Sequence, residues 1–167
     1  MGYTVKDLLE SNNFSEMQLI SDDSGIGREI KGVRIIEVPD MEKFLGGGEL
    51  LLTSMRAYEA TEEDVFLHHL KELDKKQISG FIVKCCQRTE HLKRLFDILM
   101  EFSQEHHLPV IEISEDLYFW GIIKHILLQL CDIETAKLKY FKMTHDNLSN
   151  ILLNVIDSRE SIERIFF

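Results

Sequence analysis

The chain has 167 residues, 44% hydrophobic and 29% charged, enough for one domain with a sizeable core and unlike a disordered polypeptide. Its 19 basic and 29 acidic residues leave a formal net charge of −10, which argues against direct contact with a nucleic-acid backbone. The three cysteines (Cys85, Cys86 and Cys131) lack zinc-like spacing and read as reduced thiols, so no metal and no disulfide framework is expected. No signal peptide is visible, and the most apolar stretch, residues 117–131, is short and carries Lys124 and His125. A cytoplasmic protein that does not enter the membrane is therefore expected.

In chain order, Thr4 and Asp7 form a capping-box variant ahead of a short helix with Val5, Leu8 and Leu9 on its apolar side. "MQLIS" (17–21) predicts a short strand, closed by the turn-prone "DDSGIG". "KGVRIIEVP" (31–39) alternates and stops at Pro39, as a strand would. "ELLLT" (49–53) is an apolar run suited to a strand buried on both faces. From Thr61, with Thr61 and Asp64 able to cap, Phe66, Leu70 and Leu73 set a helical rhythm. "SGFIVKC" (79–85) is the next strand. A helix from about Thr89 carries Leu92, Leu95, Phe96, Leu99 and Phe102 on one face. "LPVIEI" (108–113) is a strand, and Ser114 opens the apolar helix. Strands alternating with helices imply crossover connections, hence an α/β core with a mixed, largely parallel sheet and flanking helices.

After Asp132 the pattern becomes a C-terminal helical linker. Leu138, Phe141, His145, Leu148, Leu152 and Val155 step by three and four, a heptad-like seam suited to a dimer. Asp157 and Glu160 then read as a second N-cap, opening a helix that ends on "IFF". So apolar an end predicts a piece of a longer protein.

The chemistry-bearing candidates are few. Gly46, Gly47 and Gly48 stand before a strand with no lysine ahead of Thr53, whereas a phosphate loop follows a strand and enters a helix. A turn is the expectation there. The pairs His68-His69 and His106-His107 are adjacent, so neither presents two ligands on one helical face. Open α/β sheets bind ligands beyond the carboxyl ends of their strands, which nominates Thr53, Ser54 and Arg56, with Glu37 and Glu49, as pocket-lining residues. No catalytic set and no cofactor is expected.

"TVKDLLE" (4–10), "GIGREIKGVRIIEVPD" (25–40) and "FLGGGELLLTS" (44–54), followed by "ISGFIVK" (78–84) and "HLPVIEI" (107–113), together resemble the N-terminal domain of PucR-type (purine catabolism regulator) transcription factors. A looser similarity runs to the N-terminal domains of HPr kinase and of the Mur ligases. The resemblance implies a sensor domain at 1–131 and a helical dimerisation segment at 132–167, ahead of a missing helix-turn-helix domain that contacts DNA. It also implies a small-molecule effector, a purine or another nitrogen metabolite. Two departures are visible: Gly27 stands where the family usually has Asp, and Ser54-Met55 where it usually has Thr-Gly. The alternatives are an accessory domain of an enzyme related to HPr kinase, or a purely structural dimerisation module.

Overall fold

The structure, a computed structural model, describes residues 2–36, 38–84 and 88–166, with only the backbone described at 157, 158 and 160–166. Among the described residues, five strands form one sheet: β1 (Gln18–Leu19), β2 (Gly32–Ile35), β3 (Glu49–Thr53), β4 (Gly80–Lys84) and β5 (Val110–Ile113), in the order β1-β5-β4-β3-β2. β2 to β5 pair in parallel, and β1 adds antiparallel to β5 at one edge. β3 lies inside the sheet, between β4 and β2, with all five residues buried, which is why its sequence is a near-continuous apolar run rather than alternating.

Among the described residues, four α-helices accompany the sheet: α1 (Val5–Glu10), α2 (Glu63–Lys75), α3 (Glu90–His106) and α4 (Phe119–Phe166). The crossovers through α2 and α3 step the same way across the sheet, so their shared handedness puts both helices on one face. That face holds the main core, where Leu51, Phe81, Val83 and Val110 meet Phe66, Leu70 and Leu73 of α2 and Leu92, Leu95 and Leu99 of α3. Alternation turns Leu50, Leu52, Ile82 and Ile111 to the other face, and these are buried too. Tyr3 and Ile30, Val5 and Leu8 of α1, and Ile122 and Ile126 of α4 are also buried and lie outside the main core.

Local signals explain most boundaries. The Thr4 side chain accepts from the Asp7 N–H while Asp7 accepts from the Thr4 N–H, so the expected capping box forms. Thr89 caps α3 through the Leu92 N–H. Three starts differ from expectation. α2 begins at Glu63 after Glu62, with no side-chain cap, and the Thr61 carbonyl lies 2.8 Å from His91 Nε2. α4 begins at Phe119, because the Ser114 hydroxyl donates to Glu16 (2.6 Å) instead of capping. The backbone stays helical through Asp157–Glu160, where a second helix was expected to open; no Gly or Pro interrupts it.

The chain divides into two compact units, Met1–Leu130 and Cys131–Phe167. Within the first, His125 of α4 lies 3.1 Å from the Tyr3 hydroxyl and edge-on to Phe14. Burial pushes the Tyr3 hydroxyl up to about 12. The second unit is helical throughout its described residues. Among the described residues, no helix is long and apolar enough to cross a membrane.

Candidate functional site

The glycine run forms a turn ahead of β3. Gly47 and Gly48 sit at φ of +103° and +79°, a backbone region glycine enters without a Cβ penalty. Consecutive N–H groups of such a turn converge and can hold an anion. Here the anion is the chain's own: Gly46 N–H donates to Glu49 Oε1 (2.7 Å) and Gly47 N–H to Glu49 Oε2 (2.8 Å). Glu49 is buried, and Gly48 N–H donates to the Gln77 carbonyl (3.0 Å). All three donors are engaged inside the fold. The turn behaves as an internally closed corner, not as a phosphate cradle.

Of the residues nominated from the sequence, Glu49 and Thr53 stand at opposite ends of one strand. Glu49 opens β3 and Thr53 closes it, about 13 Å apart at the usual rise of a strand. Thr53 is fully buried, and its hydroxyl accepts from the Met55 N–H (2.9 Å). Ser54 is half-buried, Arg56 is exposed, and Glu37 lies outside the described residues, as do Cys85 and Cys86. The parallel strands also run in unbroken sequence order across the sheet, so no reversal opens the crevice on which that nomination relied.

Met55, where the resemblance implies glycine, adopts φ +66° with its side chain wholly buried. Left-handed backbone costs an L-residue about 1–2 kcal/mol. Core packing outweighs it, since a buried methionine truncated to alanine costs about 2–5 kcal/mol. Met55→Gly is therefore expected to destabilise the chain by about 2 kcal/mol in urea unfolding. A stabilised variant would mean that backbone strain dominates at this corner.

Beyond the carboxyl ends of β2 and β3, two short 3₁₀ turns, Met41–Phe44 and Arg56–Tyr58, are joined through α2. The Tyr58 hydroxyl lies 2.9 Å from His69 Nε2, and Glu42 Oε2 lies 3.0 Å from His69 Nδ1. Burial pushes His69 below the ordinary histidine value, against the opposing pull of Glu42. Burial likewise raises the Tyr58 hydroxyl. The fully buried Tyr58 and nearly buried His69 give this chain a bracing role, tying both turns to α2. Because folding lowers the His69 pKa, its stability contribution is complete above the unfolded value of about 6.5 and is lost as pH falls toward the folded value. The urea midpoint should fall on acidification from about pH 7 to 5, and His69→Gln should flatten that dependence. Parallel curves for parent and variant would remove His69 as its source. Sequence reading weighed His69 only as a possible metal ligand and missed Glu42 and Tyr58, because no spacing motif links three residues from separate elements.

At the opposite, amino edge of the sheet a groove of about 790 Å³ opens along the glycine turn. Its walls come from Arg28 and Lys31 ahead of β2, from Gly46–Gly48, and from the α2–β4 connection at Lys76–Ile78. Arg28 donates to the carbonyls of Ile78 and His106 (2.9 Å each), and Asp74 lies 2.9 Å from His106 Nδ1.

The fold is an α/β domain with a mixed, mostly parallel sheet whose glycine turn is closed by its own carboxylate. Residues 7–130 match the purine catabolism regulatory protein-like family, PucR, and the chain belongs to that family. The chain is also similar to the purine catabolism regulatory protein of Bacillus subtilis (strain 168), with 23% identity over 151 residues. That alignment covers 90% of this chain and 28% of the relative, so the chain spans little more than a quarter of that protein's length.

Proposed function

We propose that the chain is a non-catalytic, signal-sensing region of a transcriptional regulator. Residues 1–131 sense a small effector, a purine or another nitrogen metabolite, and residues 132–167 carry the response as a dimerising helix. DNA is contacted by a further domain of a longer cytoplasmic protein, in keeping with the net charge of −10 on this region. Family membership supports the regulator role. The glycine turn supports the non-catalytic one, since its N–H groups are spent on Glu49 and on Gln77.

The observation that carries the dimer is the exposed stripe on α4. Leu138, Phe141, Leu148, Leu152 and Val155 are each more than half exposed, at the a and d spacing of a coiled coil. A contiguous apolar stripe of this kind marks an interaction surface. Its periodicity fits a second copy of the same helix, with His145 as the polar member of the seam. An effector works through such a dimer by preferring one helical arrangement, since equal affinity for both would shift nothing.

Sedimentation of the chain should give a dimer; a monomer at every concentration would overturn the seam. Thermal unfolding with purines, ureides and other nitrogen metabolites tests sensing separately. A ligand at a hundred times its Kd stabilises by about 2.7 kcal/mol. No shift from any of them at millimolar concentration would replace the sensor with a structural dimerisation module.

A further inference from the structure

We infer that the groove at the amino edge of the sheet binds a small, multiply charged anion, held by Lys31 and Lys76 on either side of the glycine turn. The inference deepens the sensor reading by giving an effector a place and a charge. In a chain of net charge −10, the groove lining gathers Arg28, Lys31, Lys75 and Lys76 against the acids Glu29 and Asp74. Two of the four cations are already committed. Arg28 is bound to two carbonyls and lies 4.0 Å from Asp74, and Lys75 Nζ meets Glu72 at 2.6 Å. Among the described residues, Lys31 and Lys76 make no ion pair.

Lys31 bonds to the turn through its backbone, and Lys76 is held beside it by the neighbouring Gln77 carbonyl, which accepts from the Gly48 N–H. The Lys31 N–H donates to the Gly48 carbonyl (2.7 Å), and the Lys31 stem lies 2.9 Å from where a Cβ on Gly48 would sit. The Lys76 carbonyl lies 2.9 Å from the corresponding place on Gly47. The absent side chains at Gly47 and Gly48 are thus what lets Lys31 and Lys76 approach the same few ångströms of chain. With the turn's N–H groups engaged by Glu49 and Gln77, recognition falls to the two ammonium groups. Flexible point charges of this type suit phosphate or carboxylate oxygens without demanding a planar, bidentate geometry. The volume lies in the range of small-molecule sites, so the ligand class is a metabolite carrying phosphoryl or several carboxylate groups.

Amide chemical shifts of the full chain would be followed during titration with inorganic pyrophosphate and, separately, with citrate. Saturating shifts at Gly46–Gly48 and Gln77 are expected with at least one anion. Lys31→Glu/Lys76→Glu should weaken that binding by about tenfold or more. Lys31→Gln/Lys76→Gln, which adds no negative charge, should also weaken it and guards against a folding defect in the first variant. Saturation by pyrophosphate alone assigns a phosphorylated ligand, and by citrate alone a polycarboxylate; either supports the site. Linear, unsaturated shifts with both anions would overturn it, as would equal affinity in parent and glutamine variant. Failure here leaves the dimer and purine tests standing, and their failure leaves this groove standing.

Discussion

Glu49→Ala is expected to lower the unfolding free energy by about 3 kcal/mol. The Glu49 carboxylate accepts from two consecutive N–H groups at 2.7 and 2.8 Å, and it does so from a buried position at the head of β3, an interior strand. Hydrogen bonds to a charged acceptor contribute about 1.5–3 kcal/mol each. Truncation also leaves both donors without a protein partner. Water entering the adjacent groove offsets part of that loss, which keeps the expected figure near the lower sum. Glu49→Gln should cost about half as much, because an amide oxygen satisfies one N–H while its NH₂ opposes the other. Urea unfolding of the three proteins checks the ranking. An alanine variant as stable as the parent would mean that the carboxylate merely rests against the turn.

Leu148→Asp combined with Leu152→Asp is expected to convert a dimer to monomer. The two positions follow one another along the seam, so each dimer would bury four carboxylates where it buried leucines. Burying an ionised carboxylate without a partner costs several kcal/mol. A total of only about 4 kcal/mol already weakens the Kd about a thousandfold. Both residues lie in the Cys131–Phe167 unit, outside the sheet domain, so the unfolding midpoint of the Met1–Leu130 core should be unchanged. Sedimentation combined with urea unfolding separates the outcomes. A variant that remains dimeric would place the association elsewhere; one that loses the core transition would make the seam part of the fold.

Much of the architecture was legible in the residues. "ELLLT" marked β3 at its observed bounds because an interior parallel strand must be apolar on both faces. Thr4 with Asp7, and Thr89, marked helix starts because an N-cap is a bond between near neighbours. Ser114 failed as a cap for the same kind of reason in reverse: its hydroxyl found Glu16, far away in the chain, which only folding brings near. The strand order was not legible either: alternating elements imply a parallel sheet, but only the fold shows the parallel strands running in sequence order with no reversal among the described strands.

"FLGGGELLLTS" contains both kinds of information. The sequence by itself determined that its glycines make a corner entering a buried strand, because their order relative to strand and lysine excludes a phosphate loop. It also determined the α/β class, the family resemblance and the periodicity of the C-terminal helix. Only the tertiary structure decided that Glu49 folds back on Gly46 and Gly47, that His69 joins Glu42 to Tyr58, and that Lys31 and Lys76 bracket the turn. Periodicity and capping depend on residues a few positions apart. Side-chain partnerships across a sheet depend on strand order and register, which the whole chain sets at once.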